Sequence, residues 1–242
     1  MPTFTRDDVS LYYEEHGEGF PILLFAAGGM RSAVRFWQGG AWDPIEVLSQ
    51  RFRVISMDQR NAGQSTAPVT AADGWHSYTA DHMALLDHLG IEQTHLMGAC
   101  IGGPYCMGVI QAAPERVASA VLQQTIGFEN NRKEFYEMFD GWANDIKESH
   151  SEADDNAWTS FRSNMYDGDF LFNVSRDFVK SVKTPLLVLM GGDVYHPEST
   201  SREVAELAPN AELVEEWKGD ELADQTKNKV LEFLQAHTPV TA

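Results

Sequence analysis

The sequence predicts an α/β fold in which helices cover both faces of a mostly parallel, doubly wound sheet. Two observations support this class: short apolar runs recur along the 242 residues, and helical segments follow several of them. The length and the 43% hydrophobic content are sufficient for one sizeable core. We therefore expect a single domain over residues 1–242.

The apolar runs give the expected order of elements. An opening β-ribbon is predicted at 9–15, and strands at 21–25, 53–58, 94–97, 117–122, 184–190 and 211–215. Helices are predicted at 78–89, at 104–113 and at about 221–236. Residues 126–182 interrupt the alternation with a charged segment rich in aromatic residues, where we expect a short helical cap. Its rings either attach the cap to the main domain or line an apolar pocket.

Charge and cysteine content restrict the partners and the compartment. A formal net charge of −18 argues against nucleic acid and anionic membranes as partners. The sequence has no apolar run of transmembrane length and no signal-peptide pattern at residues 1–8, so a cytoplasmic location is expected. Cys100 and Cys106 point to different faces, which makes a disulfide between them unexpected and fits a reducing compartment. We expect a small-molecule substrate, and the oligomeric state, a homodimer included, stays open.

Cys100 stands at the centre of the segment Gly98-Ala99-Cys100-Ile101-Gly102-Gly103, between a predicted strand and a predicted helix. This is the context of the G-x-S-x-G nucleophile elbow, with cysteine in the place of serine. The flanking glycines let strand and helix approach closely, and a thiol at a helix N-terminus ionises more readily. The pattern predicts a covalent catalyst. The alternative is a small buried residue in an inactive elbow, and Cys106 is expected in the core.

Six motifs follow one another in the order of the α/β-hydrolase superfamily, which the chain resembles along nearly its whole length. They are the glycine loop 26–30, the D-x-R-x-x-G-x-S turn 58–65, the helix 81–91, the elbow 98–103, the P-E-R-V segment 114–117 and the D-x-x-x-P loop 193–197. The resemblance implies about eight strands, a short helical cap and a triad in the order nucleophile, acid, histidine. Cys100 and Asp193 match the first two places. The implied oxyanion donors are the backbone N–H of Ile101 and one from Gly28, Gly29 or Met30.

The third triad position has no histidine. Asp220 stands after the last predicted strand, where the family carries its histidine. His196, three residues after Asp193, is a candidate base or substrate-binding residue, the alternative being a half-exposed loop residue packed on the sheet edge. Asp193, Asp220 and Glu221 are the other candidate bases, and which residue serves is left open. A thiol needs less activation than a hydroxyl, so a cysteine enzyme tolerates the loss better than a serine enzyme does.

Three functions are compatible with these residues. The leading hypothesis is a cysteine-dependent hydrolase or acyltransferase that acts on a small, hydrophobic ester, thioester or lactone through an acyl-enzyme on Cys100. The second is a lyase or isomerase that uses Cys100 or Asp193 as an acid–base group without a covalent intermediate. The third is a catalytically inactive ligand-binding protein. The histidines show no metal-ligand spacing, and no metal or cofactor is expected.

Overall fold

The computed structural model describes residues 2–38 and 42–240, and eight strands in this part of the chain form one sheet. The strands are β1 Thr3–Arg6, β2 Val9–His16, β3 Pro21–Phe25, β4 Arg53–Met57, β5 Thr94–Ala99, β6 Val117–Gln123, β7 Leu186–Leu189 and β8 Ala211–Val214. Their order across the sheet is β1-β2-β4-β3-β5-β6-β7-β8. β2 pairs antiparallel with β1 and β4, and the other pairs are parallel. The predicted mostly parallel sheet of about eight strands is confirmed, although the sequence pattern did not predict β1.

The helices of the described residues are α1 Pro44–Leu48, α2 Trp75–His88, α3 Gly102–Ala112, α4 Arg132–Ile146, α5 Asp155–Tyr166, α6 Arg176–Ser181, α7 Glu198–Leu207 and α8 Ala223–Ala236. The predicted helices at 78–89, 104–113 and 221–236 correspond to α2, α3 and α8 with shifted ends. α2 begins three residues early because a polar turn precedes it: the Ser77 hydroxyl donates to Asp73 at 2.8 Å. No helix among the described residues is long and apolar enough to cross a bilayer.

Alternate residues of each central strand face opposite layers of helices. On β3, Leu23 and Phe25 belong to the core shared with α2 and α3, whereas Ile22 and Leu24 belong to the core shared with α1 and α8. All four side chains are fully buried. Burying one such side chain contributes about 1.5–3 kcal/mol. The two-sided burial explains why the strands are continuous apolar runs in the sequence.

The segment between β6 and β7, predicted as the cap, contains α4, α5 and α6. α4 packs against α5 and against the 3₁₀ turn Gly29–Arg31 that follows β3. The Trp142 indole donates to the Asn61 carbonyl at 3.1 Å, and Arg31 forms an ion pair with Asp145. These contacts hold α4 over the carboxyl end of β3. The boundaries 126–182 for a separate cap stay a prediction.

Candidate active site

Cys100 occupies the sharp turn between β5 and α3 with a backbone φ of +59°, in the left-handed region that non-glycine residues seldom adopt. Its N–H donates to the Gln123 carbonyl at 3.0 Å, and its own carbonyl accepts from Ile126 at 3.2 Å. These bonds to β6 and the segment after it hold the strained residue in place. Cys100 as a residue is partly exposed, whereas Cys106 is buried, and both cysteines are free.

Two glycines are required for this turn because backbone passes where side chains would be. A Cβ on Gly98 would lie 2.0 Å from the Gly102 carbonyl oxygen, and a Cβ on Gly102 would lie 2.4 Å from the Phe25 carbonyl oxygen. Both distances are far inside van der Waals contact. The flanking glycines therefore permit the close packing of β5, α3 and β3 around the turn, as the elbow pattern predicts.

The glycine loop after β3 lies beside the elbow. Gly28 has a φ of +117°, and Met30 is fully buried in the turn Gly29–Arg31. The backbone N–H groups of Gly28 and Ile101 both interact with the Cys100 sulfur and favour its ionised form. Of the predicted oxyanion donors, the structure thus brings these two together at the thiol. Met30 instead takes a hydrogen bond on its sulfur from the Tyr166 hydroxyl, at 3.4 Å.

His196 and Asp193 share one turn after β7. The imidazole Nδ1 lies 2.8 Å from both carboxylate oxygens of Asp193, and Asp193 Oδ1 also accepts the backbone N–H groups of Tyr195 and His196 at 2.9 and 3.1 Å. An ionised carboxylate only accepts hydrogen bonds, so Nδ1 carries a proton. His196 is buried, which differs from the half-exposed loop residue of the alternative prediction.

Nε2 of His196 is buried and forms no bond of standard hydrogen-bond geometry among the described residues. Its ring nevertheless interacts with the Cys100 thiol, and the two groups shift each other's pKa. Hydrogen bonds between catalytic groups are often poorly formed without substrate, so the lack of standard geometry does not exclude His196 as a base. The structure brings together Cys100, His196, Asp193 and the N–H groups of Gly28 and Ile101.

The electrostatics of this group shift the pKa values of Cys100 and His196 in opposite directions. Burial opposes ionisation of Cys100, but His196 and the two N–H groups outweigh it, so the thiol pKa is lowered. Burial likewise opposes the charge on His196, but Cys100 and Asp193 raise its pKa above the ordinary histidine value. The Asp193 pKa is lowered because His196 and two backbone N–H groups outweigh burial.

The other candidate bases after β8, Asp220 and Glu221, are exposed, and among the described residues neither forms a hydrogen bond or ion pair with Cys100 or His196. After β8, the Trp217 side chain is buried in the core shared with α1 and α8, and its indole donates to the Met190 carbonyl at 2.8 Å. The exposed Asp220 follows three residues later. His237 directly follows α8, bonds the Phe233 carbonyl at 2.8 Å and lines a cleft with the starts of β6 and β7. That cleft is at the opposite edge of the sheet from Cys100. No cluster of three metal-ligating side chains occurs in residues 2–38 and 42–240.

A buried polar network that joins the turn after β4 to α2 was not predicted from the sequence. Arg60 bonds Asp81 at 2.8 and 3.0 Å and Asp73 at 2.7 Å, with all three side chains under one-tenth exposed. Beside it, His82 Nε2 meets Gln59 Oε1 at 2.7 Å. The available signal was Arg60 itself, inside the D-x-R-x-x-G-x-S turn. Nothing in the sequence pattern named its acidic partners.

Comparison with known proteins assigns the family. The alpha/beta hydrolase fold family matches residues 21–184, and the chain belongs to this family. It is 39% identical over 125 residues to a putative carbamate hydrolase RutD of Azorhizobium caulinodans, which covers 50% of this chain and 43% of that protein. It is 34% identical over 116 residues to a 2-hydroxymuconate semialdehyde hydrolase of Pseudomonas putida, covering 47% of this chain and 39% of that protein. Each alignment thus spans less than half of the relative's own length.

Solved structures match over the full fold at low identity. The enol-lactonase of Burkholderia xenovorans LB400 has a TM-score of 0.72 at 20% identity, covering 97% of this chain and 100% of that chain. A meta-cleavage product hydrolase of Pseudomonas fluorescens IP01 has a TM-score of 0.72 at 22% identity, covering 98% of each. At these identities the likeness establishes the fold and leaves the activity to be argued from the site.

Proposed function

We propose that this protein is a cysteine-dependent hydrolase or acyltransferase that acts on a small, hydrophobic ester, thioester or lactone through an acyl-enzyme on Cys100. The observation that carries the proposal is the meeting of a strained elbow thiol with His196 and two backbone N–H groups. The lowered thiol pKa supports attack by a thiolate, because it increases the ionised fraction at a given pH. Hydrolysis is also the activity named for the relatives with which the chain aligns.

In the first half of the reaction the Cys100 sulfur attacks the substrate carbonyl carbon. A carbon–sulfur bond forms, and the carbonyl π electrons move to oxygen, which accepts hydrogen bonds from the N–H groups of Gly28 and Ile101. Each such donor is worth about 2.7–4 kcal/mol in the transition state. When the carbonyl re-forms, the leaving alkoxide or thiolate departs and takes a proton from the His196 imidazolium. The product of this half is an acyl thioester on Cys100.

In the second half, neutral His196 accepts a proton from water or from an acceptor alcohol, amine or thiol. The resulting nucleophile adds to the acyl carbon, and the carbon–sulfur bond breaks to restore the thiolate. Asp193, which accepts the Nδ1–H of His196 at 2.8 Å, stabilises the imidazolium in both halves. His196 is therefore the proposed general base, ahead of Asp220 and Glu221. A small-molecule substrate, no cofactor and a reducing cytoplasm complete the proposal.

The aromatic residues between β6 and β7 support a hydrophobic substrate. Phe135 stacks on Tyr166 with 5.1 Å between ring centres and meets Tyr195 edge-on at 5.5 Å. Tyr195 belongs to the loop that carries His196, and Tyr166 contacts Met30 of the glycine loop. Apolar rings thus adjoin both loops of the proposed site. Apolar surroundings of this kind favour an acyl or aryl group in the substrate.

The test is covalent labelling combined with turnover. Incubation with an activated thioester and mass spectrometry should find an acyl adduct on Cys100, and Cys100→Ala should remove both the adduct and turnover. Cys106→Ala is the matched control because the Cys106 thiol is buried. Burial raises the pKa of that thiol, and both readouts should survive its removal. No adduct, together with turnover retained in Cys100→Ala, would contradict the proposal.

Two further results distinguish the alternatives. A lyase or isomerase that uses Cys100 only as an acid–base group should keep partial activity in Cys100→Ser, whereas covalent thiol catalysis should collapse. An inactive ligand-binding protein should show slow alkylation of Cys100 by iodoacetamide near neutral pH. The proposed enzyme should be alkylated faster than an ordinary thiol of pKa about 8.5.

A further inference from the structure

Asn131 is a buried asparagine that links the segment after β6 to the loop carrying Asp193 and His196. Its side-chain amide donates to the Val194 carbonyl at 2.6 Å and to the Gly127 carbonyl at 3.0 Å, and its Oδ1 accepts the Glu129 N–H at 2.9 Å. The residue is 2% exposed. The amide nitrogen and Oδ1 are thus bonded to backbone groups away from water, and the bond to Val194 is the one that reaches the loop.

The position of Asn131 in the chain makes this arrangement unexpected. It is the N-cap residue of α4, where an asparagine side chain ordinarily accepts N–H groups of the first helical turn and stabilises the helix. Asn131 makes no such cap bond. Its amide is turned instead toward Val194, in the middle of the Asp193–His196 turn. The ordinary stabilising role is therefore replaced by a bond between two loops.

Bonds within the turn do not fix where the imidazole lies relative to the sulfur. Asp193 accepts the N–H groups of Tyr195 and His196, which sets the shape of the turn locally. The placement of the whole turn depends on contacts with its neighbours. Asn131 supplies one of these contacts, a buried hydrogen bond to the Val194 carbonyl. In the same segment, the Ile126 N–H donates to the Cys100 carbonyl at 3.2 Å. The elbow and the Asp193–His196 turn thus share the segment 126–131 as a common support.

We propose that Asn131 is a positioning residue that holds the His196 imidazole against the Cys100 sulfur through the Val194 carbonyl. The inference rests on the proposed function of Cys100 and His196. Asn131 touches neither reacting group, and its effect is exerted on the loop. Loss of the amide donor frees the loop to move, and a displacement of about 1 Å at a reacting group costs on the order of 100-fold in rate.

The sharpest variant is Asn131→Asp, which keeps the size of the side chain and replaces the amide donor by an oxygen that faces two carbonyl oxygens. We expect kcat on an activated thioester to fall about 10- to 100-fold, with KM changed less than about threefold. The pH dependence of iodoacetamide alkylation should show a higher apparent thiol pKa than in the parent protein. If the aspartate variant does not fold, Asn131→Ala removes the donor without adding a charge and carries the same expectations.

Asn164→Asp is the matched control. The Asn164 amide also donates to two backbone carbonyls, those of Ala71 and Asp73 at 3.1 and 2.8 Å, but it does not contact the Asp193–His196 turn. Its variant should keep the parent kcat and thiol titration. A purely structural role for Asn131 predicts a lower melting temperature with an unchanged thiol titration, and that result would overturn the proposal.

His196→Ala separates this proposal from the proposed function. If His196→Ala leaves the thiol titration and turnover unchanged, the catalytic assignment of His196 fails, and the proposal for Asn131 fails with it. If His196→Ala raises the thiol pKa and Asn131→Asp does not, the proposal for Asn131 alone is wrong. A raised thiol pKa in both His196→Ala and Asn131→Asp supports the catalytic assignment of His196 and the positioning role of Asn131.

Discussion

The Asp193 carboxylate accepts the Nδ1–H of His196, three residues further along the same turn, at 2.8 Å. In the order of motifs that the family carries, acid and histidine follow different strands. In this protein they follow one strand, β7, and the segment after β8 contributes its buried Trp217 to the core instead. A single turn between β7 and α7 thus presents both groups to the elbow.

Asp193→Asn tests the electrostatic part of this pair. The amide oxygen can still accept the N–H groups of Tyr195 and His196, so the turn is kept while the charge beside the imidazole is lost. We expect kcat/KM to fall at least about 10-fold, but less than the roughly 10⁴-fold loss at a buried triad aspartate, because Asp193 is half-exposed. The thiol pKa should rise in parallel. Asp177→Asn, at an exposed carboxylate paired with Lys180, is the control and should leave both unchanged.

The glycines of the elbow are expected to tolerate no side chain. Gly98→Ala would place a Cβ 2.0 Å from the Gly102 carbonyl oxygen, which is backbone and cannot move aside cheaply. We expect a free-energy loss of more than about 2 kcal/mol and loss of rapid Cys100 alkylation. Gly141→Ala in the middle of α4 is the control: the nearest atom would be 4.0 Å away, and alanine should stabilise the helix by up to about 1 kcal/mol. Urea unfolding measures both, and an unperturbed Gly98→Ala protein would contradict the packing argument.

The Arg60 network predicts a large cost for removing one partner. Arg60→Met leaves the buried carboxylate of Asp73 without a guanidinium and that of Asp81 with Arg6 alone, and we expect a loss of about 3–5 kcal/mol in the free energy of unfolding. Arg202→Met, which breaks an exposed pair with Glu215, should change stability little. If Arg60→Met and Arg202→Met lower the free energy of unfolding equally in urea, the burial of the Arg60 ion pairs does not increase their contribution to stability.

Buried histidines predict sensitivity to acid. His95 contacts Ser119 and Thr238 at 2.8 and 3.0 Å, and burial lowers its pKa to about 4. The unfolded chain, with a histidine pKa near 6.5, therefore binds a proton first, so stability falls as the pH drops from about 6.5 toward 4. The fall is at most about 1.4 kcal/mol for each pH unit and each such histidine.

His95→Gln should reduce this pH dependence, measured as the difference in unfolding free energy between pH 7 and pH 5. His76→Gln, at an exposed histidine of α2, should leave the dependence as it is in the parent protein. His82 titrates in the same direction, since burial and Arg60 lower its pKa to about 3, so part of the acid sensitivity should persist in His95→Gln. If the unfolding free energies of the parent protein and His95→Gln depend on pH in the same way, His95 does not contribute to the acid sensitivity.

Prediction from the sequence succeeded where a pattern is local. Continuous apolar runs predicted the central strands because both faces of those strands are buried, and the glycine spacing around Cys100 predicted the elbow because backbone crowding there forbids side chains. β1 was missed because its four residues are half-exposed at the sheet edge and lack an apolar run. The bounds of α2 were missed by three residues because a side-chain bond between Ser77 and Asp73 starts the helix early.

The sequence by itself determined the family order of motifs, the place of Cys100 at a strand–helix turn and the absence of histidine between the last strand and the closing helix. Tertiary structure decided which histidine meets the thiol, since the direction of a loop side chain depends on bonds that spacing does not reveal. His196 points inward because its turn is shaped by Asp193 and attached by Asn131 to the segment after β6. Those contacts join residues from different strand ends, and only the folded sheet brings these ends together.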